Sequence, residues 1–95
     1  DGLFIGPFDL SGSMGRPGEL QHPEVQGALE IYRNACRDRR VSAGLHIVEP
    51  SGENIAAALA EGYSLLALGV DITLLRTAAE RVIVHGRRAV SGVDV

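Results

Sequence analysis

The sequence predicts an α/β fold in which three strand–helix units form a parallel sheet. Short segments that are almost wholly apolar alternate with longer segments whose apolar residues recur at helical spacing. Apolar strands of this kind are typical of parallel sheets covered on both faces, and their alternation with helices requires right-handed crossovers. Three such units fit either a doubly wound sheet or the last part of an eight-stranded barrel, and length alone does not distinguish the two.

The first unit begins with a short strand that ends at Gly6-Pro7. Proline has no N–H to continue a strand ladder and glycine tolerates a turn, so the chain must turn here and present Asp9 at the carboxyl end of the strand. Residues 10–22 are rich in glycine and polar residues, which predicts a long loop. A helix is predicted over 23–38, because proline stands at its first position and apolar residues follow at helical spacing.

The second and third units are bounded by caps and turn residues. The predicted elements are a strand over Val41–Val48, a helix capped by Ser51 and ended by Gly62, a strand over Tyr63–Gly69, and a helix capped by Asp71 that ends at Gly86. The domain is therefore expected to cover residues 1–86, followed by an irregular tail over 87–95.

Composition excludes several classes of function. All nine basic residues are arginine, so this stretch has no lysine for a Schiff base, for pyridoxal phosphate or for a phosphate-binding loop. The arginines are scattered among twelve acidic residues, which argues against nucleic acid as a partner, and no apolar run is long enough to cross a membrane. The single cysteine, Cys36, is expected to be a buried hydrophobe, which suits a reducing, cytoplasmic location. The start at Asp1-Gly2 suggests a chain that begins within a domain.

Asp9 and its neighbours are the main candidates for chemistry. A carboxylate after a Gly-Pro turn suits a hard divalent cation, although an aspartate here could also simply stabilise the turn. The successive N–H groups of Phe8 and Asp9 could bind a small carboxylate. Ser11 could add a hydroxyl or serve only as a turn former.

Other polar residues have weaker claims to a site. His46 shares one strand face with Gly44 and Val48, where it could line a pocket or be a hydrogen-bonded core residue. Glu49 ends the same strand and is more simply explained as a solvated carboxylate. His22 and His85 are expected at helix ends as caps or surface residues. We find no zinc-ligand spacing and no Ser-His-Asp grouping.

Several motifs in order resemble the carboxy-terminal part of the HpcH/HpaI aldolase family, over most of residues 1–86. They are Phe4-Ile5-Gly6-Pro7-x-Asp9-Leu10-Ser11, Met14-Gly15, Gln21-His22-Pro23-Glu24-Val25-Gln26, and Leu68-Gly69-Val70-Asp71 followed by Leu74-Leu75. The resemblance implies that the chain forms the last three β/α units of a (β/α)8 TIM barrel. It also implies a carbon–carbon lyase of class II that uses Mg²⁺, Mn²⁺ or Co²⁺ to cleave 4-hydroxy-2-oxo acids into pyruvate and an aldehyde.

The resemblance assigns roles to individual residues. Asp9 would be one of two carboxylate metal ligands, and the backbone amides of Phe8 and Asp9 would hold the pyruvate carboxylate. Gly6, Pro7, Ser11 and His46 would line the pocket. The phenyl ring of Phe8 would narrow the aldehyde side, and His46 would affect the choice of aldehyde. No catalytic residue is expected within this stretch, because the family's other metal ligand and its proton-transfer residues would precede Asp1.

The family also implies a homo-oligomer, a hexamer built as a trimer of dimers, with the last helix packed on a neighbouring subunit. Two alternatives remain open. One is a relative in the same superfamily that acts on a CoA thioester, as citrate lyase and malyl-CoA lyase do. The other is a half-barrel without catalytic activity that acts as an assembly module.

Overall fold

The computed structural model describes residues 1–92, which form a three-stranded parallel sheet in the order β1-β2-β3. The elements in chain order are β1 (Gly2–Ile5), α1 (Pro7–Ser13), α2 (Pro23–Asp38), β2 (Ser42–Ile47), α3 (Gly52–Ala60), β3 (Leu65–Leu68) and α4 (Asp71–Ser91). The predicted α/β class and parallel sheet are confirmed. None of the helices in the described part is long and apolar enough to cross a membrane.

Helices α2 and α3 cover one face of the sheet. The core between them and β2 consists of Cys36, Ala43, Ile47, Ala58 and Tyr63. Cys36 is 2% exposed, which confirms its prediction as a buried hydrophobe. Strand β2 therefore contributes alternate residues to this core, as the two-residue period of a strand requires.

The opposite face of the sheet is open within residues 1–92. Strand register places Phe4 beside Gly44, and Gly44 beside Leu65, on this face. The Phe4 side chain is 55% exposed and that of Leu65 is 38% exposed. His46, two residues after Gly44, shares this face.

Helix α1 differs from the loop predicted over residues 10–22, because Leu10–Ser13 belong to a helix that begins at Pro7. The proline that ends β1 also stands at the first position of α1, where its missing N–H has no intrahelical partner to lose. Asp9 lies in the first turn, where the helix dipole favours an acid. Strand end and helix start are thus encoded by the same two residues.

Helices α2 and α3 begin at the predicted residues. The His22 Nδ1 atom accepts a hydrogen bond of 3.1 Å from the Glu24 amide, and the Ser51 hydroxyl accepts one of 3.1 Å from the Asn54 amide. His22 is therefore a cap, which is one of the two roles predicted for it. Gly62, with φ of 101°, ends the turn after α3 in the left-handed region that glycine tolerates.

Helix α4 departs from the prediction at both ends. Asp71 is its first residue and not its cap, and the Thr73 hydroxyl instead accepts a hydrogen bond of 3.1 Å from the Val70 amide. The helix continues through Gly86 to Ser91, so His85 lies inside it and the predicted irregular tail is helical over residues 87–91. One glycine costs a helix only about 1 kcal/mol, which neighbouring helix formers can offset. The end of the tail, residues 93–95, lies outside the described residues.

Candidate functional site

The three strands run parallel, so their carboxyl ends meet at one rim of the sheet. Gly6 and Pro7 follow β1, Val48 and Glu49 follow β2, and Gly69 follows β3. In parallel α/β folds this rim is where ligands bind. The predicted site residues other than Ser11 therefore lie on the segments that form or immediately follow the strand ends.

The first turn of α1 presents two backbone amides at this rim. Leu10 is the first residue of α1 whose amide bonds within the helix, donating to the Gly6 carbonyl at 2.9 Å. The amides of Phe8 and Asp9 precede it and have no hydrogen-bond acceptor among residues 1–92. Two unpaired N–H groups at the positive end of a helix favour an anionic ligand.

The Asp9 carboxylate is exposed beside these amides. It folds back toward the end of β1, because a Cβ at Gly6 would lie only 3.0 Å from its Oδ2 atom. Gly6 therefore leaves room for the carboxylate in this position. The result is an acidic group and two amide donors within one helical turn.

The His46 imidazole is fixed at the end of β2. Its Nε2 atom lies 2.7 Å from the carbonyl oxygen of Gly69, which follows β3. A carbonyl can only accept, so Nε2 must carry the proton and Nδ1 of the neutral ring is left as an acceptor. No buried nitrogen or oxygen in the described side chains lacks a partner, so the unpaired Nδ1 is open to solvent.

Glu49 and Asp71 are engaged in local contacts. The Glu49 carboxylate accepts from the Arg76 guanidinium at 2.8 Å, in an exposed ion pair between the end of β2 and α4. The Asp71 carboxylate accepts from the Ile72 amide at 2.8 Å. These contacts give both carboxylates a local structural role.

A cavity of about 360 Å³ opens between the rim and helices α2 and α3. Its lining includes Pro7, Phe8 and His46 of the predicted site, but not Gly6, Asp9 or Ser11. It also includes Gln21, Gln26, Asn54 and Glu61, which the sequence did not single out. The structure thus brings Phe8 and His46 to one cavity and leaves the Asp9 carboxylate outside it.

Ser11 is fully buried and bonded within its own segment. Its hydroxyl donates to the Phe8 carbonyl at 2.9 Å and accepts from the Gly18 amide at 3.1 Å. The Arg16 amide also donates to the Ser11 carbonyl at 2.8 Å. Ser11 therefore holds the loop after α1 in place by hydrogen bonds. Its role as a residue that lines a pocket stays a prediction.

Asp9 is the only acid within the first turn of α1, and no group of three or more His, Cys, Asp or Glu residues in positions 1–92 could hold a metal ion together. Its carboxylate is a hard oxygen donor at an accessible position, which suits Mg²⁺ or Mn²⁺ as one ligand among several. The donor chemistry of Asp9 therefore fits a shared metal site to which this stretch contributes a single ligand.

Sequence reasoning missed the Tyr32 hydroxyl. It accepts from the Gly44 amide at 3.0 Å and lies 2.6 Å from the Leu3 carbonyl oxygen, so it contacts both β1 and β2. Burial raises the pKa of the Tyr32 phenol above its ordinary value. Periodicity identifies Tyr32 only as a core residue of α2, and no pattern in the sequence indicates which backbone groups its hydroxyl contacts.

Comparisons with known proteins agree on one family. The chain matches the HpcH/HpaI aldolase/citrate lyase family over residues 1–78. The 4-hydroxy-2-oxo-heptane-1,7-dioate aldolase of Escherichia coli is 46% identical over 81 residues, which are 84% of this chain and 30% of that protein. The protein of the same name from Klebsiella pneumoniae subsp. pneumoniae is 43% identical over 81 residues, again 84% of this chain and 29% of that protein.

Solved structures give the same answer. An HpcH/HpaI aldolase/citrate lyase family protein from Burkholderia cenocepacia J2315 has a TM-score of 0.82 at 28% identity, covering 92% of this chain and 33% of that one. An HpcH/HpaI aldolase from Desulfitobacterium hafniense DCB-2 has a TM-score of 0.73 at 23% identity, covering 99% and 34%, and it shows the fold alone. The chain thus spans about a third of the length of these relatives.

Proposed function

The chain belongs to the HpcH/HpaI aldolase/citrate lyase family, and from that premise we propose that it supplies the last three β/α units of a (β/α)8 aldolase barrel. The enzyme would cleave 4-hydroxy-2-oxo acids into pyruvate and an aldehyde and catalyse the reverse condensation. The observation that carries the proposal is that the amides of Phe8 and Asp9 have no acceptor among residues 1–92 and lie beside an exposed carboxylate at the carboxyl end of β1.

In this proposal the pyruvate carboxylate accepts hydrogen bonds from the amides of Phe8 and Asp9. Hydrogen bonds to a charged acceptor contribute roughly 1.5–3 kcal/mol each, enough to fix the orientation of a small 2-oxo acid. The Asp9 carboxylate would hold a divalent cation such as Mg²⁺, Mn²⁺ or Co²⁺ beside the keto oxygen. When bound, such a cation supplies Lewis-acid polarisation of that oxygen.

The aldehyde would lie toward Phe8 and His46. Both residues line the same cavity, so a ring at position 8 would limit its size, and His46 would affect the choice of aldehyde. Gly6 and Pro7 would form the floor near pyruvate, and Ser11 would contribute by holding the loop behind them. The second metal ligand and the groups that transfer protons would come from the other five β/α units of the barrel.

Substitution of Asp9 tests the proposal in the complete enzyme. Asp9→Asn should lower pyruvate release from a 4-hydroxy-2-oxo acid by at least about a hundredfold, because a metal ligand is lost. EDTA should abolish wild-type activity, and Mn²⁺ should restore it. Asp71→Asn is the matched control, since it changes an exposed acid in the first turn of another helix and should leave the rate nearly unchanged. Activity indifferent to both EDTA and Asp9→Asn would refute the assignment.

The family name also covers citrate lyase, so a CoA thioester is the second candidate substrate. The two relatives from Escherichia coli and Klebsiella pneumoniae, which match 84% of this chain, are named as aldolases, and this favours the free 2-oxo acid. Measuring CoA binding to the complete enzyme by calorimetry distinguishes the two: binding favours the thioester, and its absence the aldolase.

We further propose a cytoplasmic homo-oligomer, a hexamer arranged as a trimer of dimers, in which α4 packs on a neighbouring subunit. Large apolar side chains on α4 support this, because Ile72, Leu75 and Val82 are each more than two-thirds exposed. The buried free thiol of Cys36 suits a reducing compartment. If instead the chain is a half-barrel without activity, the exposed surface of α4 would serve assembly alone.

A further inference from the structure

The Tyr32 side chain of α2 reaches the hydrogen-bond ladder between β1 and β2. Its hydroxyl accepts from the Gly44 amide at 3.0 Å and donates to the Leu3 carbonyl at 2.6 Å, while the Gly44 carbonyl lies 3.0 Å away. Leu3 pairs with Ala43, the residue before Gly44, in the parallel register of the two strands. One phenol therefore contacts both strands at adjacent rungs of the ladder.

The two strands pack closely beside this hydroxyl. A Cβ on Gly44 would lie 2.6 Å from the Leu3 carbonyl oxygen, so only glycine lets the strands approach as they do. Behind the phenol, the Tyr63 ring lies 6.5 Å away between centroids. The Arg33 guanidinium covers the Tyr63 ring at 5.4 Å and donates to its hydroxyl at 3.1 Å.

The Tyr32 hydroxyl contacts β1, the strand that leads into the candidate site. Leu3 precedes Gly6 by three residues, about 10 Å along a strand, and α1 begins directly after Gly6. Within residues 1–92, β2 is the only strand paired with β1. The position of β1 against β2 therefore sets where the Phe8 and Asp9 amides lie relative to His46.

We propose that Tyr32 is a positioning residue, which holds β1 in register with β2 so that the Phe8 and Asp9 amides and the Asp9 carboxylate meet their ligands correctly. The inference rests on the proposed function of that turn. Catalytic geometry is sensitive to such shifts, since a displacement of about 1 Å can cost about a hundredfold in rate. Tyr32 itself touches neither substrate nor metal in this role.

The test compares two substitutions that each remove one hydroxyl from the same cluster in the complete enzyme. Tyr32→Phe should weaken Mn²⁺ binding, measured by electron paramagnetic resonance, and raise the KM for pyruvate, each by about tenfold. Tyr63→Phe should change both by less than about twofold, because within the described part of the chain its hydroxyl bonds to Arg33 and to no strand. 4-Aminophenylalanine at position 32 keeps a donor at the para position and should restore both values.

Hydrogen exchange gives a readout that does not depend on activity. In Tyr32→Phe the Gly44 amide should lose protection while the core amides of α2 and β3 keep theirs. Equal losses of binding in both variants, or unchanged Gly44 protection, would overturn the role of Tyr32 alone. Wild-type enzyme that binds neither Mn²⁺ nor pyruvate would overturn the proposed function and the positioning role together. If Tyr32→Phe does not fold, the 4-aminophenylalanine variant decides. The positioning role is overturned if that variant does not bind Mn²⁺ and pyruvate as the wild type does.

Discussion

Ser11 shows how one buried hydroxyl connects the first helix to the loop that follows it. The side chain is fully buried, and its two hydrogen bonds join the Phe8 carbonyl to the Gly18 amide. A serine in a glycine-rich stretch would ordinarily be exposed at a turn. Here it joins the loop that ends at Gly18 to the helix that carries Asp9.

Replacing Ser11 with alanine should destabilise the protein by about 1–3 kcal/mol, because the Gly18 amide loses its acceptor. The measurement is the urea midpoint of the purified protein. Ser13→Ala is the control, since the Ser13 hydroxyl donates to the Leu10 carbonyl in an exposed position and the loss of that bond should cost little. A Ser11→Ala variant of normal stability with reduced activity would instead favour a direct role in the pocket.

Because of Tyr32, the free energy of unfolding should change with pH in the alkaline range. Burial raises the phenol pKa in the folded protein above its ordinary value of about 10. Folding therefore favours the protonated phenol, and this contribution is complete below the ordinary pKa and disappears as the pH rises through the higher folded value. Tyr32→Phe has no phenol to ionise here, so its stability should fall less than that of the wild type above about pH 10. Urea midpoints between about pH 8 and about pH 11 measure the difference, and parallel curves for the two proteins would contradict it.

At the scale of elements, the sequence predicts what depends on local chemistry and misses what depends on context. The starts of α2 and α3 are predicted correctly because His22 and Ser51 cap them by contacts two or three residues away. Helix α1 is missed because Gly6-Pro7 is a valid strand end and a valid helix start. The extension of α4 past Gly86 depends on the balance of a whole helix, which one glycine does not decide.

For the candidate site too, the sequence predicts what depends on local chemistry and misses what depends on distant residues. Its location at the end of β1 follows from strand polarity and from the turn at Gly6-Pro7. The positions of the amides follow only once α1 is seen to begin at Pro7. The cavity beside α2 and α3 and the Tyr32 hydroxyl depend on residues distant in sequence, such as Leu3 and Gly44, which periodicity cannot bring together.

Gly44 packs against a strand distant in sequence, whereas Gly27 lies inside one helix with open space around it, and substituting each provides a paired test. Gly44→Ala should destabilise the protein by about 1–3 kcal/mol or more, because the new Cβ would meet a backbone carbonyl at 2.6 Å. Gly27→Ala, inside α2 with open space around it, should stabilise by about 0.5–1 kcal/mol through helix propensity. Thermal unfolding of the two variants decides, and a stable Gly44→Ala protein would mean that β1 and β2 lie further apart than described.

At the scale of the whole molecule, α4 gives the structure its elongated shape. The described residues extend over 63 × 29 × 20 Å, and Thr73 is the only residue of α4 that is buried. Thr73 contacts the Val48 carbonyl at 2.8 Å, and Arg76 pairs with Glu49 at the same distance. The helix is therefore anchored at its first turns, while later apolar residues such as Val82 and Val90 face solvent.

Several large apolar side chains exposed along one helix normally mark an interface. We expect Leu75→Glu combined with Val82→Glu to lower the oligomeric mass of the complete enzyme, because two carboxylates would be buried without partners. Sedimentation velocity measures the mass, and circular dichroism checks that helix content is retained. The control, Arg81→Glu combined with Arg88→Glu, changes charge on the same helix without altering its large apolar residues and should leave the mass largely unchanged. An unaltered oligomer in the first variant would mean that subunits associate elsewhere, and that the apolar residues of α4 pack within their own barrel.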